Sequence, residues 1–265
     1  MSTWQGRTAL VTGGKRGLGR AYAEELARRG CRVIVTSRDP SSADVAACLA
    51  DLRAIATSAG ARDPLAIRWD MRDPNGDADA FASLRAAGAE VELFVHAAHE
   101  FPPHDLILAT APADLAESLR VNVVAPYALC RRICRTMVRA RFGRILFVGS
   151  LAASTGGVGQ VAYITEKSAL AGLVRAFAAE LGSRNVLVNM VEPGIVDTEN
   201  VRAAVREEAR AAFAKRTLSG RLATAREVVL ASIGLLDPEQ GFTTGQILRI
   251  AGGADGGGSF GGTDD

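Results

Sequence analysis

Short apolar runs rich in β-branched residues alternate along the chain with longer stretches in which apolar residues recur every three or four positions. The runs fall at residues 7–12, 32–37, 64–69, 91–95, 144–149, 185–191 and 246–250. Their length and composition predict strands. The longer stretches fall at 20–29, 41–59, 74–87, 113–141, 161–182 and 224–236 and predict helices. Strand and helix in strict alternation predict an α/β fold: a single doubly wound domain with a parallel sheet of about seven strands. Pro126 interrupts the stretch 113–141, which predicts one kinked helix or two abutting ones. Residues 195–219 are long and charged, with Arg202, Arg206, Glu207, Glu208 and Arg210, and are expected to form a mobile cover over the site. The chain is read as one domain over 1–253, followed by a Gly-rich tail over 254–265 that lacks periodicity and is expected to be loose.

Composition narrows the class. The 265 residues are 48% hydrophobic with 28 Gly, which suits one large α/β domain with a sizeable core. A formal net charge of +2 gives no general case for nucleic acid or membrane binding. The polar start and the lack of a long apolar run leave the cytoplasm as the expected location. Cys31, Cys48, Cys130 and Cys134 form no CxxC pattern and read as reduced, small apolar residues. Cys130 and Cys134 share a helix face, but nothing nearby completes a metal site. His96, His99 and His104 cluster after the fourth strand. Without suitably placed carboxylates no metal is expected, and His99, Phe101 and His104 read as pocket residues at the carboxyl end of the sheet.

Two stretches carry chemistry. The first follows the strand at 7–12: Gly13-Gly14-Lys15-Arg16-Gly17-Leu18-Gly19, opening the first helix. Strand, glycine turn and helix in this order let backbone approach a pyrophosphate at a helix N-terminus, as in dinucleotide sites. The second strand ends at Ser37 and is followed by Arg38, where an acid would select the free 2′-hydroxyl of NAD. Arg38, Lys15 and Arg16 together favour the 2′-phosphate of NADP(H). Asp70, after the third strand, is placed to meet the adenine amine.

The second stretch is Tyr163-Ile164-Thr165-Glu166-Lys167. On a helix Tyr163 and Lys167 share one face, where an ammonium is expected to lower the phenol pKa and make Tyr163 a general acid/base. Ser150 closes the fifth strand, where its hydroxyl can bind a substrate oxygen beside that phenol. Asn122, near Pro126, can satisfy backbone groups at the kink and hold a water.

Taken in order, Thr12-Gly13…Gly17-Leu18-Gly19, Asp70, Asn122, Ser150, Tyr163…Lys167 and Pro193-Gly194…Thr198 resemble the short-chain dehydrogenase/reductases from residue 7 to residue 253. The C-terminal half is most similar to bacterial 3-oxoacyl-[acyl-carrier-protein] reductases: Gly143-Arg144-Ile145…Gly149-Ser150, Val188-Asn189-Met190-Val191, Ser219-Gly220-Arg221 and Thr244-Gly245-Gln246. The resemblance implies a Rossmann fold. It implies a catalytic tetrad of Asn122, Ser150, Tyr163 and Lys167, in which Tyr163 protonates the carbonyl oxygen and Lys167 holds the nicotinamide ribose. It further implies NADPH contacts at Gly13, Lys15, Arg16, Gly17, Leu18, Gly19, Ser37, Arg38, Asp70, Met71, Ala97, Ala98, Tyr163, Lys167, Pro193, Gly194, Val196 and Thr198.

Substrate contacts are expected at His99, Phe101 and Leu151. Arg141 and Arg184 match positions where the carrier-protein reductases dock their acidic partner, and the family pairs through the helices at 113–141 and 161–182 into tetramers or dimers. The chain departs from the family where Asn-Asn-Ala-Gly becomes His96-Ala97-Ala98-His99. His96 is expected to replace a strand-to-strand tie, and His99 to narrow the pocket. The implied activity is reduction of a β-ketoacyl thioester, either housekeeping or in a specialised pathway. The alternatives are reduction of a free ketone, quinone, sugar or polyol by the same chemistry, and a non-catalytic NADP sensor.

Overall fold

The central strands are buried from end to end, as a parallel sheet covered on both faces requires. The computed structural model describes residues 3–254. Strands β1 (Thr8–Thr12), β2 (Arg32–Ser37), β3 (Leu65–Arg68), β4 (Leu93–His96), β5 (Gly143–Val148), β6 (Val186–Pro193) and β9 (Ile247–Ile250) form a seven-stranded sheet in the order β3-β2-β1-β4-β5-β6-β9, parallel throughout. The expected doubly wound domain is therefore what the chain adopts.

Successive side chains alternate between two cores. Leu10, Ile34, Phe94, Ile145 and Phe147 face one side with Leu84 of α3 (Gly76–Ala86), Leu129 and Ile133 of α5 (Ala125–Ala140), and Leu170 and Val174 of α7 (Val161–Leu181). Ala9, Val11, Val35, Val95 and Leu146 face the other side, with Leu26 of α1 (Gly17–Arg28), Leu52 of α2 (Ala43–Ser58) and Val229 of α10 (Ala225–Ser232). Strand order reverses between β1 and β4, so the carboxyl ends of these strands border a crevice where a ligand can enter.

The stretch 113–141 resolves into α4 (Pro112–Leu119), a π turn over Arg120–Val124, and α5. Pro126 lies in the first turn of α5, without an N–H for the carbonyl of residue 122, and the chain absorbs the mismatch in the wider turn just before it. Helix α10 starts in a capping box: Thr224 accepts from the Glu227 N–H while the Glu227 carboxylate accepts from the Thr224 N–H.

Other elements went unseen in the pattern. A short α6 (Ala152–Thr155) follows Ser150. The segment 195–219 is not featureless: it holds β7 (Val196–Asp197), α8 (Glu199–Ala204) and α9 (Glu207–Arg216), and β7 pairs with β8 (Ala223–Thr224). Helix α9 buries none of its side chains, so it lacks the apolar stripe that makes a helix visible in sequence. Of the expected tail, only Ala254 falls among the described residues; 255–265 lie outside them.

Candidate active site

The site lies where the carboxyl ends of β1, β4, β5 and β6 converge. At β1 the chain turns through Gly13 with φ +67°, and a Cβ on this residue would stand 2.9 Å from the backbone of Ala98. Glycine is needed here for the left-handed backbone and for the close approach of the loop after β4. Helix α1 starts at Gly17, so its free N–H groups point into the crevice beside this turn. Lys15 lies 3.7 Å from Asp44, whereas Arg16 and the exposed Arg38 form no ion pair among the described residues. Glycine-rich turn, helix N-terminus and nearby cations fit a dinucleotide carrying a 2′-phosphate. Ser37 turns its hydroxyl to the Asp39 carbonyl, 3.0 Å away, and Asp70 Oδ1 accepts from the Arg72 N–H at 3.0 Å, which holds the turn leading to Met71.

The departure at the end of β4 has a clear structural role. Thr12 Oγ1 accepts from the N–H groups of both Ala97 and Ala98 at 3.1 Å and lies 2.9 Å from His96 Nδ1. The Thr12 hydroxyl therefore donates to His96, and the strand tie expected of His96 is present. Burial pushes the His96 imidazole down to about 3, with Lys167 and His99 adding to the effect, so it stays neutral. His104 lies in the same loop but takes no part in this cluster.

Beyond β5, the Ser150 hydroxyl accepts from the Ala152 N–H at 3.2 Å, which fixes the start of α6, and Leu151 is buried beneath it. Helix α7 brings Tyr163 and Lys167 to the same wall, with the Lys167 ammonium 5.8 Å from the Tyr163 ring centre and donating to the Val148 carbonyl at 3.3 Å. The expected lowering of the Tyr163 phenol does not prevail. Burial raises it above the ordinary value, the nearby Glu166 raises it further, and the Ser150 hydroxyl acts in the opposite sense. Burial also pulls Lys167 down to about 8. Phe101 stacks on Tyr163 with ring centres 6.1 Å apart, and His99 meets the same ring edge-on at 5.3 Å.

Asn122 spans the site to the loop after β4. Its Oδ1 accepts from the Glu100 N–H at 2.9 Å, and its Nδ2 donates to the Glu100 carbonyl at 2.8 Å and to Glu166 at 2.9 Å. The backbone groups it satisfies are those of Glu100 in the loop after β4, not those of the kink. Two acids escaped the sequence reading. Glu166 is fully buried between Tyr163 and Lys167; helical spacing puts it on their face, since positions three apart share one, but does not show its burial. Glu192 is buried near the end of β6, where it accepts from Ser154 at 3.1 Å.

Past β6, the Gly194 N–H donates to the Ile250 carbonyl at 3.0 Å, and a Cβ at Gly194 would meet the Phe213 ring of α9 at 2.6 Å. Val196 is buried, and Thr198 caps α8 by accepting from the Val201 N–H. Thus 195–219 stands against the carboxyl edge of the sheet. Arg141 and Arg184 do not join this cluster. Both are exposed, and they precede β5 and β6, so they flank the opposite edge of the sheet, where Asn185 Nδ2 donates to the Arg141 carbonyl at 3.1 Å. Among the described residues, no group of three or more His, Cys, Asp or Glu is arranged to hold a metal, and no helix is long and apolar enough to cross a membrane.

Known proteins share this architecture. A family profile described as enoyl-(acyl carrier protein) reductase matches residues 13–255. The 3-oxoacyl-[acyl-carrier-protein] reductase FabG of Escherichia coli K12 is 31% identical over 250 residues, 94% of this chain and 98% of the relative. The FabG of Aquifex aeolicus is 32% identical, with 94% and 97% covered. The crystal structure of an Agrobacterium tumefaciens C58 3-oxoacyl (acyl-carrier-protein) reductase with NADP bound superposes with a TM-score of 0.83 at 29% identity, over 94% of this chain and 95% of that one. Together with the glycine turn, the switch-point crevice and the cations at its rim, these matches place the chain in the short-chain dehydrogenase/reductase family, as an NADP(H)-dependent oxidoreductase of carbonyl and CH–OH groups.

Proposed function

We propose that the enzyme reduces the keto group of a 3-oxoacyl thioester, and that Asn122, Ser150, Tyr163 and Lys167 carry the reaction. The observation that carries this reading is the meeting of Ser150 and Tyr163 at the end of β5, with Lys167 one helical turn behind. Bound NADPH supplies the hydride to the carbonyl carbon. The Ser150 hydroxyl and Tyr163 phenol donate to the carbonyl oxygen, and Tyr163 passes its proton to that oxygen as the alcohol forms. A phenol raised by burial keeps its proton until the substrate oxygen gains charge, which suits the reductive direction. Lys167, held near 8, is poised to return a proton towards Tyr163 at neutral pH. Asn122 fixes the loop that carries His99 against α7. Pro193, Gly194, Val196 and Thr198 border the nicotinamide, and Phe101 and Leu151 give the substrate an apolar wall.

The acyl group is proposed to arrive on a carrier protein. Support comes from the two FabG relatives, which cover nearly the whole chain, and from the exposed Arg141 and Arg184, which offer a cationic patch to an acidic partner. Docking there leaves the strand length of β5, about 20 Å, for a flexible arm to bridge. The outer faces of α5 and α7, where Tyr127 stands beside Phe177 at 5.8 Å, are the proposed pairing surface of a homotetramer or dimer.

The test compares NADPH consumption on a 3-oxoacyl carrier-protein thioester with that on the same acyl group attached to a small thiol. A preference for the carrier-bound substrate, lost when Arg141 and Arg184 become Glu, is expected. Equal rates on both would overturn the carrier step. Activity confined to free ketones or sugars would move the enzyme to the second reading. That reading is favoured by one structural neighbour, an A. tumefaciens protein named as a candidate gluconate dehydrogenase, with a TM-score of 0.86 at 28% identity over 96% of this chain and 98% of that one.

A further inference from the structure

Glu166 has no exposed surface, yet it belongs to the helical face that carries Tyr163 and Lys167. Its two carboxylate oxygens have different partners. Oε2 accepts from Ser118 Oγ at 2.6 Å and from Asn122 Nδ2 at 2.9 Å. Oε1 meets His99 Nε2 in a short contact. The pair thus ties α7 to α4, to the π turn and to the loop after β4. His99 lies edge-on to Tyr163, at 5.3 Å, and to Phe101, at 4.6 Å. Its second nitrogen, Nδ1, has no hydrogen-bond partner among the described residues and is not among the buried, unpaired polar atoms, so it is open to a ligand.

Counting protons on this pair fixes what Nδ1 can do. Two donors already occupy Oε2, so any proton the carboxyl group shares lies between Oε1 and His99 Nε2. While the pair holds that proton, the imidazole carries a hydrogen on Nδ1, whichever of the two atoms has the shared one. Once it is lost, Nε2 keeps the remaining hydrogen to satisfy the carboxylate, and Nδ1 becomes an acceptor. We propose that His99 is a substrate-recognising hydrogen-bond donor beside Tyr163, that Glu166 holds it in the donor form, and that it takes an acceptor oxygen lying close to the reacting carbonyl.

For a 3-oxoacyl thioester that acceptor is the thioester carbonyl oxygen, two carbons from the keto group; this assignment rests on the reading above. A substrate with a single carbonyl would leave the donor unpaired, a cost that discriminates against it. Glu166 is pushed up to about 7 by burial, while the hydrogen bonds from Ser118 and Asn122 and the Lys167 charge oppose the shift. His99 is held below its ordinary value by burial and by Lys167, with Glu100 acting the other way. The charged and titratable groups around the pair are Lys167 and Tyr163 on α7, His96 on β4, and Glu100, which is paired with Arg72. As pH rises through the Glu166 ionisation, Nδ1 stops donating and recognition of the second oxygen weakens.

The test is ¹⁵N NMR of the full chain labelled at histidine, with NADP bound, in which two-bond couplings report the tautomer. His99→Leu identifies the His99 signals among those of the three histidines. In the native chain at pH 6 the Nδ1 hydrogen should be present and should be lost as pH rises past neutrality. Glu166→Gln should lock it. The amide oxygen must take the Oε2 place between two donors, so the amide nitrogen donates to Nε2 and Nδ1 stays protonated at pH 9.

A bare Nδ1 at pH 6, or a Glu166→Gln protein that switches as the native one does, would overturn the proposal. Kinetically, His99→Leu should raise KM for a 3-oxoacyl thioester roughly tenfold relative to a monoketone of equal length. An unchanged ratio would contradict it. Failure of the thioester reading would show separately, as no turnover of any 3-oxoacyl thioester while the His99 signals still switch.

Discussion

The Thr12 hydroxyl joins β1 to β4 through His96 Nδ1, 2.9 Å away, at the point where strand order reverses. The same oxygen accepts the N–H groups of Ala97 and Ala98, so one side chain satisfies three groups at the floor of the cofactor crevice. His96 does this as a neutral ring, buried under Trp69 and Phe147.

That neutrality makes stability depend on pH. The folded His96 stays unprotonated down to about 3, whereas the unfolded ring binds a proton near 6.5. The contribution is complete above pH 6.5 and is lost as pH falls towards 3. At pH 4 the loss should be on the order of 3 kcal/mol. His96→Asn retains a partner for Thr12 and should flatten this slope in urea denaturation measured from pH 7 to pH 4. An equal slope in both proteins would remove His96 as its source.

Gly13→Ala should disturb both the fold and cofactor binding. The left-handed backbone would cost about 1–2 kcal/mol. The new methyl would also press on the Ala98 backbone at 2.9 Å, forcing the loop after β4 away from its place. The expected outcome is a lower Tm, with NADPH affinity, followed by nicotinamide fluorescence, reduced at least tenfold. A variant with native Tm and affinity would show that the turn does not cradle the cofactor.

Arg38 is exposed at the end of β2 and makes no ion pair among the described residues. If it meets the 2′-phosphate, Arg38→Asp should weaken NADPH binding by roughly 10- to 150-fold, the worth of one charged hydrogen bond of about 1.5–3 kcal/mol. NADH binding should hold or improve. The ratio of the two dissociation constants, measured by fluorescence titration, checks this; parallel losses would point to general destabilisation.

Most of the sheet was legible because its strands are short, apolar and separated by helices with clear stripes. The glycine turn was legible from its strand-turn-helix context, Tyr163 and Lys167 from helical spacing, and Ser150 from its place at the end of a strand, whereas Asn122 joined them only through the resemblance to the short-chain dehydrogenase/reductases. Helices α8 and α9 were not, since α9 buries no side chain and leaves no period to read. The phenol of Tyr163 moved opposite to expectation because spacing shows Lys167 but not burial, and burial raises the phenol against the Ser150 hydrogen bond, with Glu166 adding to the rise. Glu166 was overlooked because an acid inside a helix reads as solvated until its partners, Ser118, Asn122 and His99, are seen to close around it.

The most direct test of the proposed chemistry is Tyr163→Phe assayed with NADPH and a 3-oxoacyl thioester. Removing the phenol oxygen removes the proton donor while leaving the ring stacked on Phe101. Turnover should fall by about 10²–10⁴-fold. The NADPH dissociation constant should change little. A variant that keeps native turnover would contradict the assignment of Tyr163 as the acid.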